Sequence, residues 1–286
     1  MNIENPKVSI GLPTYNSIKF IRNTLESIVN QTFSNFVLYI SDDNSTDGTD
    51  NICEEYASKD SRIKFSRNED NIGPYLNHLK VCIHENYDYF MFARGHEKLS
   101  DNFLECCVNT LEDNQESILA FGTPKWIDMD NKVLSDKPFS YYDSRGQNVN
   151  IRVAFAILGR PEYNYGLLRA KALIKKPYFP NVIGSDQIIM LRLALLGSFA
   201  HAKNCTRYRR YLYTTETYKK RIKRYLKHSY KINNKLEHIF PYAKLPFYLF
   251  HTIYISNISR IDKFISLLTI IVTLPIKFFV MRGKKL

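Results

Sequence analysis

The sequence predicts an α/β fold, with a mostly parallel sheet flanked by helices and a basic helical C-terminal region. Short apolar runs at residues 7–12 and 36–41 each end in polar turn residues. Between them, Ile21, Leu25 and Ile28 recur at helical spacing. A strand, a helix and a second strand in this order form a parallel pair, because the helix returns the chain to the same end of the sheet. Ligands of such sheets bind beyond the carboxyl ends of the strands, so we expect the functional site there.

The alternation of strands and helices continues through the first 125 residues. Further strands are expected near 62–65, 87–93 and 118–123, and helices near 17–31, 46–58, 74–85, 101–113 and 185–196. Residues 125–165 are rich in turn formers and aromatics, and we interpret them as a substrate-side insertion more than a second core. We therefore assign residues 1–214 to one α/β domain and residues 215–286 to a basic, aromatic helical region.

The net charge of +12 is unevenly distributed. Residues 1–125 contain 11 Lys and Arg against 19 Asp and Glu, whereas residues 201–286 contain 19 against 3. Long apolar runs at 245–255 and 264–281 accompany the cationic residues. This combination predicts helices that lie in the membrane interface, with Lys and Arg at anionic headgroups. A membrane-spanning segment and a buried helical bundle with a solvated basic face remain alternatives.

The sequence argues against a nucleic-acid partner and against secretion. The aliphatic runs fit lipid better than a phosphate backbone, so no nucleic-acid partner is expected. The polar start, Met-Asn-Ile-Glu-Asn-Pro, predicts no secretory signal. Five cysteines without CxxC spacing indicate reduced, buried thiols in a cytosolic protein.

Two polar motifs follow the first two predicted strands. Pro13-Thr14-Tyr15-Asn16 ends the first strand, and Asp42-Asp43-Asn44-Ser45-Thr46-Asp47-Gly48-Thr49 ends the second. An aromatic ring, two adjacent carboxylates and turn amides therefore converge on one crevice. A nucleotide base needs an in-plane hydrogen-bond partner and a flat face, and this crevice offers both.

In their order and spacing, these two motifs resemble those of glycosyltransferase family 2, inverting nucleotide-sugar enzymes of GT-A fold, here of the bacterial surface-glycan type. Asn71-Ile-Gly73-Pro-Tyr-Leu-Asn77 resembles the next family element, without its usual Ala-Arg. The resemblance covers roughly residues 5–215. It implies transfer of a sugar, UDP-linked by expectation, to a glycan or lipid-linked acceptor with inversion, in polysaccharide or glycoconjugate biosynthesis.

The resemblance implies a nucleotide-binding set. It comprises Pro13, Thr14, Tyr15, Asn16, Asp42, Asp43, Asn71 and Gly73. Asp43 would accept from a pyrimidine imide N–H, and Tyr15 would flank the ring. Asp42 would orient the turn or a ribose hydroxyl, and Gly73 would let the backbone approach the base. The local alternatives are that either aspartate caps the helix after Thr46 and that Tyr15 simply packs.

The diphosphate region departs from the family pattern. Where the family places two or three carboxylates for a divalent ion, this chain has Arg94-Gly95-His96-Glu97, with one carboxylate. Glu97 is the tentative ligand for Mn²⁺ or Mg²⁺, and a nearby His96 would favour Mn²⁺. Two alternatives remain open: Arg94 or Lys98 supplies the positive charge, or the site is degenerate and inactive.

The resemblance implies that Asp186, at the head of the predicted helix 185–196, is the base that removes the acceptor proton. Ser185 stands where the family often has Glu, and an N-cap role is the alternative. Weaker candidates are Trp126 and Asp128 for the acceptor side, and Arg207, Arg209 and Arg210 for phosphates.

The leading hypothesis is thus an enzyme on the cytoplasmic face of the membrane, peripheral or C-terminally anchored. Its partners are a nucleotide-sugar donor, a glycan or lipid-linked acceptor and, through the C-terminal region, the membrane surface. The alternative is a non-catalytic nucleotide-sugar-binding or scaffold protein with a degenerate metal site.

Overall fold

A computed structural model describes residues 7–82, 86–135, 142–159, 166–173, 180–211 and 242–283 of this chain. The expected boundary at 214/215 and the strongly basic segment after it lie outside these residues. So do residues 83–85 at the end of the helix predicted over 74–85.

The sheet has eight strands, which confirms the predicted α/β class. They are β1 (Val8–Thr14), β2 (Phe36–Asp42), β3 (Ile63–Arg67), β4 (Tyr89–Phe92), β5 (Lys98–Leu99), β6 (Ser117–Ile127), β7 (Leu167–Arg169) and β8 (Ser198–Arg210), in the spatial order β3-β2-β1-β4-β7-β6-β8-β5. The first four in this order are parallel to one another. Strand β7 runs antiparallel to β4 and β6, and β5 runs antiparallel to β8. The carboxyl ends of β1, β2 and β4 therefore meet at one edge.

The described residues also contain eight α-helices, which pack on this sheet or on one another. They are α1 (Ile21–Val29), α2 (Thr49–Lys59), α3 (Gly73–Val81), α4 (Phe103–Glu112), α5 (Val149–Leu158), α6 (Ser185–Leu196), α7 (Leu245–Tyr254) and α8 (Arg260–Gly283). Helix α6 has the predicted bounds. Helix α1 begins four residues later than predicted, because the Ser17 carbonyl accepts from the amides of Phe20 and Ile21 in a preceding turn.

Apolar side chains on the two sides of the sheet form two hydrophobic cores. Alternate residues of β1, namely Val8, Ile10 and Leu12, face the core formed with α1 and α4. On the other side α3 crosses β1 so closely that a Cβ on Gly11 would lie 2.5 Å from the Val81 carbonyl oxygen. This close approach fixes α3 against the strand ends that carry the two motifs.

A third core joins the C-terminal helices to the α/β domain. It contains Val153 and Ile157 from α5, Ile188 and Leu191 from α6, Leu245, Leu249 and Ile253 from α7, and Ile270 and Leu274 from α8. The sequence predicts residues 125–165 to be a substrate-side insertion more than a second core, but α5, which lies within them, contributes Val153 and Ile157 to this third core. The substrate-side placement stays a prediction. Of the helices in the described ranges, none is long and apolar enough to cross a membrane.

Candidate active site

The loops after β1 and β2 form one hydrogen-bonded unit. The Asn16 amide donates to Ser45 Oγ at 2.9 Å, and Asn16 Oδ1 accepts from the Thr46 amide at 2.9 Å. The Ser17 amide donates to Thr49 Oγ1 at 2.8 Å. Asn16 has a φ of 46°, in the left-handed region that Asn tolerates better than most residues. The two sequence motifs thus build a single polar shelf at the sheet edge.

Asp42 orients the turn, one of the two roles that the sequence left open. Its buried carboxylate accepts from the amide of Ser45 at 2.8 Å and from Ser45 Oγ at 2.5 Å. Arg67 Nε lies 3.8 Å away. Burial raises the pKa of Asp42, and the hydrogen bonds from Ser45 only partly offset this effect. We therefore assign Asp42 a structural role, in which it fixes the turn that carries the site.

Asp43 binds the first turn of α3 and not the helix that follows Thr46. Its Oδ1 accepts from the Ile72 amide at 2.8 Å and from Asn68 Nδ2 at 2.9 Å, and its Oδ2 accepts from the Gly73 amide at 3.0 Å. Gly73 has a φ of +84°, which its missing Cβ permits. Each carboxylate oxygen can accept two hydrogen bonds, so Oδ2 has capacity for a base N–H.

Two other residues of the predicted nucleotide-binding set, Asn71 and Thr14, are hydrogen-bonded to Asp43. Asn71 Nδ2 donates to the Asp43 carbonyl at 3.1 Å, and the Thr14 carbonyl accepts from the Asp43 amide at 2.9 Å. Tyr15, next to Pro13 and Thr14, is 49% exposed and belongs to none of the three cores. Its ring is therefore accessible to a planar ligand.

The buried side-chain amides of Asn68 and Asn77 also hold this shelf. Asn77 was predicted only as part of a motif, and Asn68 was not predicted. Asn77 Nδ2 donates to the carbonyls of Ser41 at 3.0 Å and Thr14 at 3.3 Å. Asn68 Nδ2 donates to Asn77 Oδ1 at 3.3 Å as well as to Asp43. Asn68 directly follows the third parallel strand, and that position was the signal that could have identified it.

Glu97 is buried in an arginine cluster. Its Oε2 accepts from Arg207 Nε at 2.6 Å and also contacts Arg207 Nη2, while Arg209 Nε lies 3.3 Å from Oε1. The pairing of β5 with β8 brings these residues together across 110 positions of sequence. Burial alone would raise the pKa of Glu97, but Arg207, Arg94 and Arg209 hold it at about 2. Glu97 is thus a permanently charged counter-ion.

This donor set does not fit a divalent cation at Glu97. Both carboxylate oxygens are engaged by guanidinium groups, and a third arginine, Arg94, acts on the same carboxylate. The pKa of His96 is lowered to about 4, chiefly by burial. Within the described part of the chain, no group of three or more His, Cys, Asp or Glu side chains is arranged to hold a metal ion.

Arg94 is half-buried and follows β4, the strand next to β1. Its carbonyl accepts from Thr24 Oγ1 at 3.3 Å. Its charge shifts the pKa of Glu97, of His78 on α3 and of Asp186 on α6. Arg94 thus places a cation at the carboxyl end of β4.

Asp186 lies in the first turn of α6, after Gly184 at a φ of +87°. Its Oδ1 accepts from the Gln187 amide at 3.0 Å. Burial raises the pKa of Asp186, opposed by this hydrogen bond and by the charges of Lys277 and Arg94. The N-cap alternative for Asp186 is wrong, because the N-cap position is occupied by Gly184 and no side chain caps the helix. A half-buried carboxylate of raised proton affinity suits a general base.

The weaker candidates have structural partners. Asp128 Oδ1 accepts from the amides of Asp130 and Lys132, both at 2.9 Å, which closes a local turn. Arg210 contacts the Asp128 carbonyl and Asn131. The Arg209 guanidinium lies over the Trp126 ring, 5.0 Å from its centroid. Arg209 therefore connects Trp126 to Glu97.

The family model described as "Glycosyl transferase family 2" matches residues 9–168, more than half of the chain. The chain belongs to glycosyl transferase family 2. The match contains the Asp43 shelf, Arg94 and Glu97, while Asp186 and the C-terminal helices lie beyond it.

Two curated relatives illustrate the range of this family. The chain is 28% identical over 142 residues to "Putative glycosyltransferase EpsH" of Bacillus subtilis, covering 49% of this chain and 41% of that protein. It is 25% identical over 234 residues to "Chondroitin synthase" of Escherichia coli, covering 80% and 32%. The chain thus spans less than half the length of these relatives.

The solved structure of S. aureus TarS residues 1–349 in complex with UDP-GlcNAc has the same fold. It superimposes with a TM-score of 0.69 at 17% identity, covering 98% of this chain and 76% of that one. The likeness confirms the GT-A fold expected for a family 2 glycosyltransferase.

Proposed function

We propose that this family 2 glycosyltransferase transfers a sugar from a UDP-linked donor to a glycan or lipid-linked acceptor with inversion, in polysaccharide or glycoconjugate biosynthesis. The observation that carries the proposal is the Asp43 shelf at the carboxyl ends of β1 and β2, in a chain that belongs to family 2. Asp43 offers an acceptor to a base, Arg94 offers positive charge, and Asp186 offers a base. These are the groups that nucleotide binding, diphosphate departure and acceptor activation require.

For the donor, we assign the base to the Asp43 shelf and Tyr15. The remaining acceptor capacity of Asp43 Oδ2 suits an imide N–H, and the half-exposed Tyr15 ring supplies a flat face. The UDP-GlcNAc complex of the structurally similar TarS supports a UDP-linked donor.

For the diphosphate, we assign Arg94 as the cation, one of the alternatives that the sequence left open. The Glu97 carboxylate is committed to Arg207 and Arg209, which leaves it poorly suited to Mn²⁺ or Mg²⁺. A guanidinium group beside the leaving diphosphate stabilises the charge that develops as the glycosidic bond breaks.

For the transfer step, Asp186 removes the proton of the acceptor hydroxyl. The hydroxyl oxygen then bonds to the anomeric carbon from the face opposite the diphosphate, the carbon–oxygen bond to the diphosphate breaks, and configuration inverts. Burial, which raises the pKa of Asp186, increases its affinity for that proton.

The proposal is tested by measuring hydrolysis and transfer from UDP- and GDP-sugars, with and without Mn²⁺ or Mg²⁺. We compare the wild type with Asp186→Asn, Glu97→Ala and the control Asp128→Asn. The assignment is supported if Asp186→Asn abolishes transfer, if Asp128→Asn preserves it and if chelation of metal ions leaves it unchanged. If the protein binds the donor without turnover, and Asp186→Asn does not change that binding, the non-catalytic alternative is supported. Activity that requires added metal contradicts the role of Arg94.

We also propose that the enzyme lies on the cytoplasmic face of a membrane through α7 and α8. Along α8, apolar side chains at helical spacing face solvent; they are Ile261 (72% exposed), Phe264 (63% exposed), Ile265, Leu268, Ile271, Val272 and Ile276. Phe247 and Tyr254 of α7 are also exposed. Residues 201–286 contain 19 Lys and Arg against 3 Asp and Glu, and those on the surface, such as Arg260 and Lys263 of α8, would complement anionic headgroups. The opposite face of α8 packs in the third core, so the described helices support peripheral attachment.

A further inference from the structure

Three polar side chains, on one side of helix α1 and just beyond its end, are buried. They are Thr24, Ser27 and Gln31, each at most 6% exposed and spaced three and four residues apart. A buried hydroxyl or amide costs free energy unless it is hydrogen-bonded. All three side chains are hydrogen-bonded to the backbone of one segment, residues 94–104, which follows β4.

Thr24 binds the turn that begins at Arg94. Its Oγ1 donates to the Glu97 carbonyl at 2.7 Å and, at 3.3 Å, to the Arg94 carbonyl. The Arg94 carbonyl also accepts from the Glu97 amide at 3.1 Å, which closes the turn. Threonine hydroxyls inside helices commonly bond a carbonyl of their own helix, as Thr273 of α8 does with Thr269. The Thr24 hydroxyl instead joins α1 to a separate segment.

Ser27 and Gln31 continue this attachment along the segment. Ser27 Oγ accepts from the Leu99 amide at 3.2 Å. Gln31 Nε2 donates to the Ser100 carbonyl at 2.7 Å, and Gln31 Oε1 accepts from the Leu104 amide at 2.9 Å. The hydrogen bonds from α1 therefore follow the segment from the turn after β4 to the first turn of α4.

The turn also packs closely on the loop after β1. A Cβ on Gly95 would lie 3.1 Å from Ser17 Oγ and 3.3 Å from Ile21 Cδ1, so the turn has little room to move toward either side chain. The Ser17 amide donates to Thr49 Oγ1 at 2.8 Å, within the Asp43 shelf. The turn is thus hydrogen-bonded to α1 and packed against the loop that builds the shelf.

We propose that Thr24, Ser27 and Gln31 are positioning residues for Arg94: they fix the backbone from which its guanidinium group reaches the donor diphosphate. This inference rests on the proposed function, in which Arg94 is the cation for the diphosphate. A guanidinium group binds phosphate oxygens well only when its N–H donors are in place, so a displaced backbone weakens the contact. The Asp43 carboxylate is held separately, by amides at the start of α3, so binding of the base does not depend on this attachment.

The test compares Thr24→Val, which removes the hydroxyl and keeps the branched shape, with Thr24→Ser, which keeps the hydroxyl. Thr273→Val is the control, because the Thr273 hydroxyl is also buried but bonds its own helix. We measure the Kd of UDP by calorimetry. The Kd of uridine, which carries the base and ribose without phosphates, is measured by NMR titration.

In Thr24→Val the Glu97 carbonyl loses this donor, the turn is displaced, and the contact of Arg94 with the phosphates weakens. We expect the Kd of UDP to rise about fivefold or more, while the Kd of uridine stays within about twofold. Thr24→Ser and Thr273→Val retain the wild-type values. A purely structural role would raise both constants together and would overturn the inference, as would an unchanged Kd of UDP.

A double-variant cycle tests whether Thr24 acts through Arg94. Arg94→Ala alone should weaken the binding of UDP. Adding Thr24→Val to it should have little further effect, because the group that Thr24 positions is gone. Additive effects of the two changes overturn the positioning role. If Thr24→Val does not fold, Ser27→Ala, which removes the acceptor of the Leu99 amide, takes its place and is judged by the same outcomes.

Amide hydrogen exchange separates this inference from the proposed function. If UDP does not bind, or if Arg94→Ala binds it as tightly as the wild type does, the proposed diphosphate assignment fails. The positioning of the segment by α1 then stands or falls on exchange at the Glu97 and Leu99 amides. We expect both to exchange about tenfold faster in Thr24→Val, with the Ile10 amide of β1 unchanged. Equal exchange rates in the two proteins overturn it.

Discussion

At the scale of single residues, the pKa values of two carboxylates, the buried Glu97 and the half-buried Asp186, are shifted in opposite directions. Glu97 is surrounded by arginines that hold its pKa at about 2, whereas burial raises the pKa of Asp186 against weaker opposition. The opposite shifts in pKa come from the charged groups around each carboxylate and not from the difference between Glu and Asp. One carboxylate is suited to structure and the other to proton transfer.

Replacing Glu97 by Gln should destabilise the fold strongly. The change leaves the guanidinium groups of Arg207 and Arg209 buried beside a neutral side chain, which typically costs about 3–5 kcal/mol. Urea unfolding measures the loss. Glu55→Gln is the control, because the Glu55 pairs with Arg22 and Lys59 are exposed, and we expect no measurable change there. Equal stabilities of wild type and Glu97→Gln would contradict the counter-ion role.

The same ion pairs predict a pH dependence of stability. The pKa of Glu97 is about 2 in the folded chain and near its ordinary value of 4.5 in the unfolded chain. Its contribution is therefore complete above pH 4.5 and is lost as the pH falls toward 2. The free energy of unfolding should decline less steeply over this range in Glu97→Gln than in the wild type. Parallel curves for the two proteins would refute this assignment.

At the scale of elements, the sequence predicted what depends on local pattern. Helix α6 is bracketed by Gly184 and Gly197, and its bounds were predicted correctly. The polar ends of β1 and β2 were also predicted, because each apolar run stops in turn residues. Strand β7, only three residues long, was missed. The arginine partners of Glu97 were not assigned, because the pairing of β5 with β8 has no local sequence signal.

Asn77→Ala should weaken donor binding through α3. The Asn77 amide joins α3 to the ends of β1 and β2, so its loss leaves the Ser41 carbonyl without this donor and costs about 1–3 kcal/mol. The Asp43 shelf then loosens, and the Kd for UDP rises. Calorimetry measures the affinity and thermal unfolding measures the stability. Asn109→Ala, at an exposed position of α4, should change neither. Unchanged UDP affinity in Asn77→Ala would separate α3 from the nucleotide site.

At the scale of the whole molecule, α8 has two apolar faces. One packs with α5 through Ile270 and Leu274, and the other faces solvent through Phe264 and Ile271. Removing the C-terminal helices would uncover Val153 and the rest of the third core. Truncation would therefore confuse loss of attachment with loss of stability, and substitutions on the outer face are the cleaner test.

The double variant Phe264→Ser with Ile271→Ser should bind vesicles more weakly without unfolding. Both side chains are more than half exposed, so the change removes surface that lipid would cover and leaves the core intact. Co-sedimentation with phosphatidylcholine vesicles, with and without phosphatidylglycerol, measures the binding. Leu76→Ser on α3 is the control, as Leu76 is exposed on another surface. Vesicle binding unaffected by the double variant would contradict attachment through this face.

The pairing of Glu97 with Arg207 also sets an order of events during synthesis. Glu97 leaves the ribosome 110 residues before its partner, and β8 must enter the sheet between β6 and β5 before the pair can form. Until then the carboxylate lacks the guanidinium groups of Arg207 and Arg209. Long-range pairing of this kind is slow compared with helix formation. The strands that carry the Asp43 shelf therefore leave the ribosome well before the arginines that pair with Glu97.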